Sequence, residues 1–297
     1  MRRAWLLRSL WMLLAGALCL ACVRRPLPAP PTRPSASVDI IAVGHGDSIL
    51  ITSAAGKSLL IDGGEAEAAP AILSVLRARS VCPLDLILLT HPHSDHLGGL
   101  GPVVKECGAR RFMDSGYPHE SRIYAHLLEI LEQRGVPMAR AEAGRQIDLG
   151  SGAVLTLFGP PQPFLQEGPD AVNANSVVSR LQVGGTSVLL AGDANVTEET
   201  WLLGRGLSLR STVLKVAHHG SRTSSTAEFL TAVAPRLAII SNWPDAPKHP
   251  HPETLRRLAA ARARVLETAR EGTIHLELDG ETVTWFTANH PQKVVLP

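Results

Sequence analysis

Four side chains able to ligate a metal fall within six residues of this sequence. His91, His93, Asp95 and His96 lie in LILLTHPHSDHLGGL, residues 86–100. Imidazole nitrogen and carboxylate oxygen are good donors for Zn²⁺ or Mn²⁺, whereas structural zinc sites favour cysteine, and none lies nearby. The run Leu86–Thr90 reads as a buried strand. A tight loop after it, closed by Gly98 and Gly99, can turn His91 and His93 toward one cation and Asp95 and His96 toward another. A second cluster, STVLKVAHHGSRTSS (211–225), sets His218 and His219 after another apolar run, with Gly220 allowing close backbone approach. Strand alternation would send these two to opposite sides. One is therefore expected to be a ligand and the other to bind substrate or to hydrogen-bond behind the ligands. Asp193, in VLLAGDA, is a carboxylate just past an apolar strand, placed to bridge two cations. Two divalent ions held this way activate water against an electrophilic phosphorus or carbonyl, which is hydrolysis.

Short β-rich runs alternating with helical ones must carry these residues. Strands are expected at Val38–Val43, Ser48–Thr52, Ser58–Asp62, Leu86–Thr90, Val154–Phe158, Val177–Val183, Thr186–Ala191, Val213–Val216, Leu237–Ser241, Gly272–Leu278 and Thr282–Phe286. Helices are expected at Ala66–Ala78, Glu120–Arg134, Thr226–Ala234 and Pro252–Arg262, the last opened by Pro252 with Glu253 in its first turn. Val183-Gly-Gly-Thr186 and Leu278-Asp-Gly-Glu281 read as hairpin turns. Residues 159–175 read as a loop, and a single α/β domain from about Val38 to the end is the economical organisation.

The chain of 297 residues is 45% hydrophobic and 19% charged, which excludes wholesale disorder. A net charge of +2 gives no field of the kind that coats DNA, and 4% aromatic residues argue against a base-stacking platform. Residues 1–22 place Arg2, Arg3 and Arg8 before an apolar run from Leu10 to Ala21, too short for the roughly 20 residues of a membrane span. This reads as an export signal. It ends in CLAC, close to a lipoprotein processing box with Cys22 as the acylated residue; a simple signal peptide cut near Ala21 is the alternative. Residues 23–37 carry five prolines and read as an extended tether from a membrane surface. Outside the cytoplasm Cys82 and Cys107 can pair; two separate buried thiols are the other reading.

In their order along the chain, VGHGDS (43–48), IDGG (61–64), THPHSDHLGG (90–99), NANSVVSRL (173–181), LLAGDA (189–194), LKVAHHGSRTSS (214–225), KHPHPETLRRL (248–258) and TAREGTI (268–274) resemble the metallo-β-lactamase-fold hydrolases. More narrowly, they resemble the C-terminal hydrolase domain of the ComEC/Rec2 DNA-uptake proteins. The resemblance implies a four-layer αββα sandwich with a dinuclear site at the strand ends. In it His91 and His93 hold metal one, Asp95, His96 and His218 or His219 hold metal two, and Asp193 bridges. Many hydrolases of this fold supply a third metal-one histidine where this chain has Asn173 and Asn175, as ComEC-like domains do. An amide oxygen is a poorer Zn²⁺ ligand than imidazole, so metal one is expected to bind more weakly and to favour Mn²⁺.

By the same resemblance His249 is the expected proton donor to the leaving group, with His251 competing and helix entry as the structural alternative for both. His45 and Asp47, in the glycine-flanked VGHGDS loop, border the site and are candidates for substrate contact. Asp62 is expected to be a structural carboxylate beside the metal loop. The leading reading is an exported hydrolase of phosphodiesters, with nucleic acid as a candidate substrate and a lipid anchor as the membrane link. An amide, lactone or β-lactam hydrolase and an inactive metal-bound surface binding module are the alternatives. Palmitate labelling of the full chain should depend on Cys22, and label retained in Cys22→Ser would end the lipoprotein reading.

Overall fold

Alternating side chains on half-buried strands must cover two faces, and here they build two sheets. The computed structural model describes residues 34–166, 170–244 and 249–296. The expected export signal, Cys22 and most of the expected tether lie outside the described residues. The first sheet begins with β1 (Ala36–Ile40), β2 (Ile49–Ser53), β3 (Ser58–Ile61), β4 (Leu86–Leu89), β5 (Phe112–Asp114) and β6 (Met138–Arg140). The second contains β7 (Gln146–Gly150), β8 (Ala153–Leu157), β9 (Ser179–Val183), β10 (Thr186–Leu190), β11 (Val213–Lys215), β12 (Leu237–Ile240) and β13 (Arg264–Glu267). The chain then returns to the first sheet with β14 (Ile274–Leu278), β15 (Val283–Thr287) and β16 (Val294–Leu296), giving the order β16-β15-β14-β1-β2-β3-β4-β5-β6 against β13-β12-β11-β10-β9-β8-β7. The helices are α1 (Ala69–Arg79), α2 (Ser94–Leu97), α3 (Leu100–Glu106), α4 (Arg122–Gln133), α5 (Val196–Gly204), α6 (Ala227–Val233), α7 (Pro252–Ala260) and α8 (Thr268–Glu271).

The period of two sets the layers. Leu88, Val38 and Ile51 of the first sheet meet Leu155, Leu181, Val188 and Ile239 of the second in a core between the sheets. Their neighbours Ile87, Leu89, Leu50 and Leu60 point the other way and pack on Leu73, Leu76, Val103, Leu127 and Leu131 of α1, α3 and α4. On the far side Leu189, Leu214, Ala238 and Ile240 pack on Leu202, Phe229, Leu230 and Leu258 of α5, α6 and α7. The order is therefore αββα, the four layers that the resemblance implies, and burial of these apolar faces stabilises it.

Strands β3, β4, β5 and β6 run parallel, as do β10, β11, β12 and β13. Parallel neighbours put all their C-terminal ends at one edge of their sheet. The loops that follow β3, β4, β10 and β11 there carry Asp62, the His91–His96 cluster, Asp193 and the His218–His219 pair.

Several boundaries differ from the sequence expectation. β1 opens at Ala36, inside the segment read as tether, because Ala36 is buried and the Ser37 hydroxyl bonds that of Thr52. The expected helix Ala66–Ala78 divides into a 3₁₀ turn at Ala66–Ala68 and α1, at the point where Pro70 enters. Strands β5, β6, β7, β13 and β16 and helices α2, α3, α5 and α8 are absent from the sequence expectation. They run from three to nine residues, too few for a period to declare itself, and β6 is exposed throughout. Cys82 and Cys107 are joined in a disulfide that ties the chain after α1 to the end of α3. Among the described residues no helix is long and apolar enough to cross a membrane.

Helix α5 starts where the Asn195 side chain accepts the Thr197 and Glu198 amides. It buries two acids in its first turn. Glu199 accepts the backbone amides of Ser225 and Thr226 and so fixes the start of α6. Glu198 has no side-chain partner; burial pushes its carboxyl well above the usual range, offset only in part by the Ser176 backbone and reinforced by Glu199. A raised folded pKa means that its contribution to stability is whole at acid pH and is lost as pH rises through that folded value. Glu198→Gln should therefore sit closer to the wild type at pH 5 and gain relative stability at pH 8, measured by urea unfolding at both. Parallel stability curves would show Glu198 to be charged in the fold.

Candidate metal centre

The base of the site is one buried carboxylate. Asp62 follows β3 with φ +59°, a left-handed backbone that aspartate tolerates better than most residues. One oxygen accepts the Thr90 amide at 2.7 Å; the other accepts the Thr90 hydroxyl at 2.7 Å and faces His96 Nδ1 at 2.8 Å. With Nδ1–H donating to Asp62, the lone pair of His96 is left on Nε2, aimed into the site. The expectation for Asp62, a structural carboxylate beside the metal loop, matches this placement.

The loop after β4 supplies the remaining groups. His91 is fully buried, and its Nδ1 lies 3.0 Å from the Thr90 hydroxyl and 3.4 Å from that of Ser176, while its Nε2 lies 3.1 Å from His93 Nδ1. Asp193, at the end of the segment after β10, sits between two groups. Its Oδ2 is 3.8 Å from His91 Nε2, and its Oδ1 is 3.3 Å from His96 Nε2. On that second side Asp95 Oδ2 is 3.8 Å from His96 Nε2 and 3.3 Å from His219 Nε2. Atoms of Asp95, His96, Asp193 and His219 all lie within 4.8 Å of one another.

His218 and His219 do not sit on a strand. β11 stops at Lys215, and Ala217–Gly220 forms a 3₁₀ turn in which both histidines have left-handed backbone, φ +50° and +52°. Strand alternation therefore does not apply, and both rings face the site. His219 is buried, with Nδ1 3.2 Å from the Ser241 carbonyl, which leaves its Nε2 lone pair for the centre. His218 is more open; its Nε2 is 3.9 Å from Asp193 Oδ2, and its Nδ1 is 3.4 Å from the Asn173 amide nitrogen. Such backbone at two adjacent non-glycine residues carries strain of the kind found at functional sites.

The two asparagines separate in role. Asn175 is consumed by the loop before it, bonding the Leu165 amide and the carbonyls of Leu165 and Ala171. Asn173 donates to Asp170 at 2.6 Å, and its amide oxygen is buried with no partner. Lys215 escaped the sequence reading. It is buried, 2.8 Å from Asp47 Oδ2, and Asp47 in turn lies 3.7 Å from His219 Nδ1. A lysine in an otherwise apolar strand end requires a carboxylate, and that requirement was the available signal. Asp47 thus lies beneath His219 and is engaged by the ammonium, instead of facing substrate. Asp47, Asp62 and His96 also cluster, but the two carboxylates are already committed to Lys215, Thr90 and His96.

The VGHGDS loop closes over Asp95. His45 Nε2 is 3.2 Å from Asp95 Oδ2, and its ring packs edge-on to Trp243 at 4.2 Å, another contact missed in the sequence. Gly46 (φ +100°) lets the chain pass so close that an added Cβ would stand 1.7 Å from the Asp95 carbonyl oxygen, while the Asp47 amide bonds that oxygen at 3.2 Å. His249 faces the site, its ring 5.7 Å from that of His218, and burial, with His218, His219 and His45 nearby, pushes it down to about 4. His251 instead caps α7 by accepting the Glu253 amide, and its own amide bonds Gly220.

Several polar atoms aimed at the centre are buried without a protein partner: His96 Nε2, His219 Nε2 and Asp193 Oδ1. Leaving such groups unsatisfied is costly. Burial and its neighbour His96 push His91 well below its usual value, so it is a neutral donor. Burial opposes charge on Asp193 as well, but His96, His219 and His218 outweigh it and hold the carboxylate ionised. For His96 burial is again opposed, and Asp193, Asp62 and Asp95 raise its affinity for a proton well above normal. Protons on His96 and His219 are one way to balance these acids; divalent cations are the other, and neutral nitrogen with anionic oxygen is the donor set they prefer. The residues fit a metal centre.

Residues 41–242 match the family model of the metallo-beta-lactamase superfamily. The chain belongs to that superfamily. Among its relatives it is 26% identical over 282 residues to ComE operon protein 3 of Bacillus subtilis, covering 89% of this chain and 36% of that protein. It is 32% identical over 247 residues to Competence protein ComA of Neisseria gonorrhoeae, covering 82% of this chain and 32% of that protein. The chain spans about a third of the length of the curated relatives it matches. The fold matches the metallo-beta-lactamase fold protein YhfI from Bacillus subtilis, with a TM-score of 0.52 and 13% identity over 78% of this chain and 96% of that one.

The Gly46 geometry gives a measurable contrast. Gly44 also has positive φ, but an added Cβ there meets nothing within 4 Å. Gly46→Ala should cost at least about 1 kcal/mol more stability than Gly44→Ala in urea unfolding, with loss of bound metal only in the first. Equal losses would show that the approach to Asp95 does not demand glycine.

Proposed function

We propose that this protein is an exported dinuclear metal hydrolase acting on phosphodiesters. The observation that carries the proposal is the placement of Asp193 between two groups of candidate ligands, His91 with His93 on one side and Asp95 with His96 and His219 on the other. In this reading His218 and the Asn173 amide oxygen flank the His91–His93 side, where many hydrolases of this fold carry a third imidazole. Zn²⁺ and Mn²⁺ are the candidate ions. When bound, such a pair supplies the Lewis acidity that ionises water near neutral pH and offsets charge developing on a phosphoryl oxygen.

The chain's own residues do the positioning. Asp62 locks the His96 tautomer, Thr90 and Ser176 hold His91 Nδ1, and the Ser241 carbonyl holds His219. His249 is uncharged at neutral pH. It hydrogen-bonds the leaving oxygen, and an anionic phosphodiester beside it raises its pKa toward the range of a useful proton donor. His45, braced on Trp243, covers the Asp95 side and limits access of bulk water there.

Relatives named for competence and for recombination support nucleic acid as the substrate class. The Cys82–Cys107 disulfide supports an oxidising compartment and hence export, and the expected lipid anchor at Cys22 would place the domain at a membrane surface. The test is a metal-supplemented turnover screen of the full chain on bis(p-nitrophenyl) phosphate, DNA, lactones and a β-lactam panel, with metal content measured in parallel. Phosphodiester cleavage that is lost, together with at least one metal equivalent, in Asp193→Ala is expected. Two bound ions with no turnover of any ester would favour a binding module, and turnover of the amides or lactones alone would favour the second hydrolase reading.

A further inference from the structure

The opposite end of the second sheet carries a concentration of positive charge that the catalytic reading does not use. Asp193 and the histidine pair follow the C-terminal ends of β10 and β11. The residues that precede those strands, together with the one before β12, surround a cavity of about 460 Å³. Its walls include Arg180, Arg210 and Arg236, with Ser187 and Thr212 between them and Glu281 as the one carboxylate lining it. Among the described residues none of the three guanidinium groups lies within ion-pair distance of a carboxylate, and neither Arg210 nor Arg236 makes a side-chain hydrogen bond. Elsewhere in the fold arginines are spent on acids, as Arg79 is on Asp39 and Arg77 on Glu106.

Arg180 is the anchor. It rises from β9, half-buried, with its guanidinium over the Phe158 ring at 5.1 Å and Nη1 donating to the Ser208 carbonyl at 2.6 Å. Those contacts fix the plane of the group, yet its Nε is buried with no partner. Burial also weakens its hold on its proton, the cost of keeping a cation from water without a counter-charge. An anion would offset that cost. Three forked donors that are not neutralised, spaced around one concavity with hydroxyls beside them, match a tetrahedral oxyanion, since each guanidinium can give two parallel N–H bonds to phosphate oxygens.

We propose that the cavity between Arg180, Arg210 and Arg236 is a phosphate-binding site distinct from the metal centre, lined by the residues that precede β10, β11 and β12 and reached from β9 by the side chain of Arg180, which pairs with Leu189. Its ligand is a phosphate group, carried either by a small phosphorylated molecule or by the backbone of a nucleic-acid strand. The proposal stands apart from the hydrolytic reading, because it uses none of the metal-centre residues.

The experiment titrates the full chain, with chelator present so that nothing is cleaved, using inorganic phosphate and pyrophosphate by calorimetry and a fluorescein-labelled dT12 strand by anisotropy. Arg210→Ala/Arg236→Ala is compared with Arg110→Ala/Arg111→Ala, an exposed arginine pair elsewhere on the surface, after equal melting temperatures confirm that both variants fold. The expected result is binding of at least one of the three probes by the wild type, weakened at least tenfold in the first variant and unchanged in the second. If dT12 is the ligand, the magnitude of its salt slope should also fall by about 1.4 in the first variant. Inorganic phosphate that binds without displacing dT12 assigns the site to small phosphorylated molecules; displacement assigns it to the strand. Absence of binding to all three probes, or equal weakening in both variants, overturns the proposal. Loss of ester hydrolysis in Asp193→Ala has no bearing on these titrations, so the two readings fail separately.

Discussion

Everything at the centre depends on Asp62 being engaged through both of its carboxylate oxygens. Its oxygens take the Thr90 amide, the Thr90 hydroxyl and His96 Nδ1. A buried carboxylate with three donors is fixed in place. It fixes in turn the first residue of the histidine loop and the last of its metal-binding residues, so the loop is held at both ends by one group. The Gly63 amide bonds the His96 carbonyl and the Gly64 amide bonds the Asp47 carbonyl, which carries the constraint on to the VGHGDS loop. The strained backbone at His218 and His219 is tolerable for the same reason. The surrounding bonds to Gly192, Ser241 and Ser221 determine the turn more strongly than local preference does.

The fold contributes this site through strand direction. Four separate segments reach one edge because β3, β4, β10 and β11 all end there, and the core between the sheets holds the two edges in register. Any residue type would arrive at that edge by the same path. What suits it to a metal is that acids and imidazoles arrive with their outer atoms already occupied by Thr90, Ser176, Ser241 and Asp62, and with His96 Nε2, His219 Nε2 and Asp193 Oδ1 unpartnered. Fold likeness on its own does not carry chemistry this far.

Much of this was legible in the sequence, for a physical reason. Candidate ligands next to one another in the chain, such as His91, His93, Asp95 and His96, declare themselves by spacing, and the strands that carry them are apolar runs bounded by glycine. The αββα order followed from resemblance across ordered motifs and agrees with the packing. Contacts between distant segments were not legible. The orientation of His218 and His219 depended on where β11 stops, and Lys215 stops it by turning inward to Asp47, a partner 168 positions away. The division of labour between His249 and His251 likewise needed the α7 cap and the close approach of Pro250 to Gly220.

Net charge was the least informative quantity, and the structure shows why. The formal value of +2 averages a centre crowded with Asp62, Asp95 and Asp193 against a cavity where Arg180, Arg210 and Arg236 face the single carboxylate of Glu281. The two regions are held apart by the same parallel strands that gather the ligands, because a strand with its acid at one end presents its preceding residue at the other. Fields of this kind act over about a Debye length, roughly 8 Å at physiological ionic strength. An anion approaching either region therefore meets chiefly the local charge: at the centre, carboxylates balanced by protons on His96 and His219 or by cations; at the arginine cavity, attraction without them.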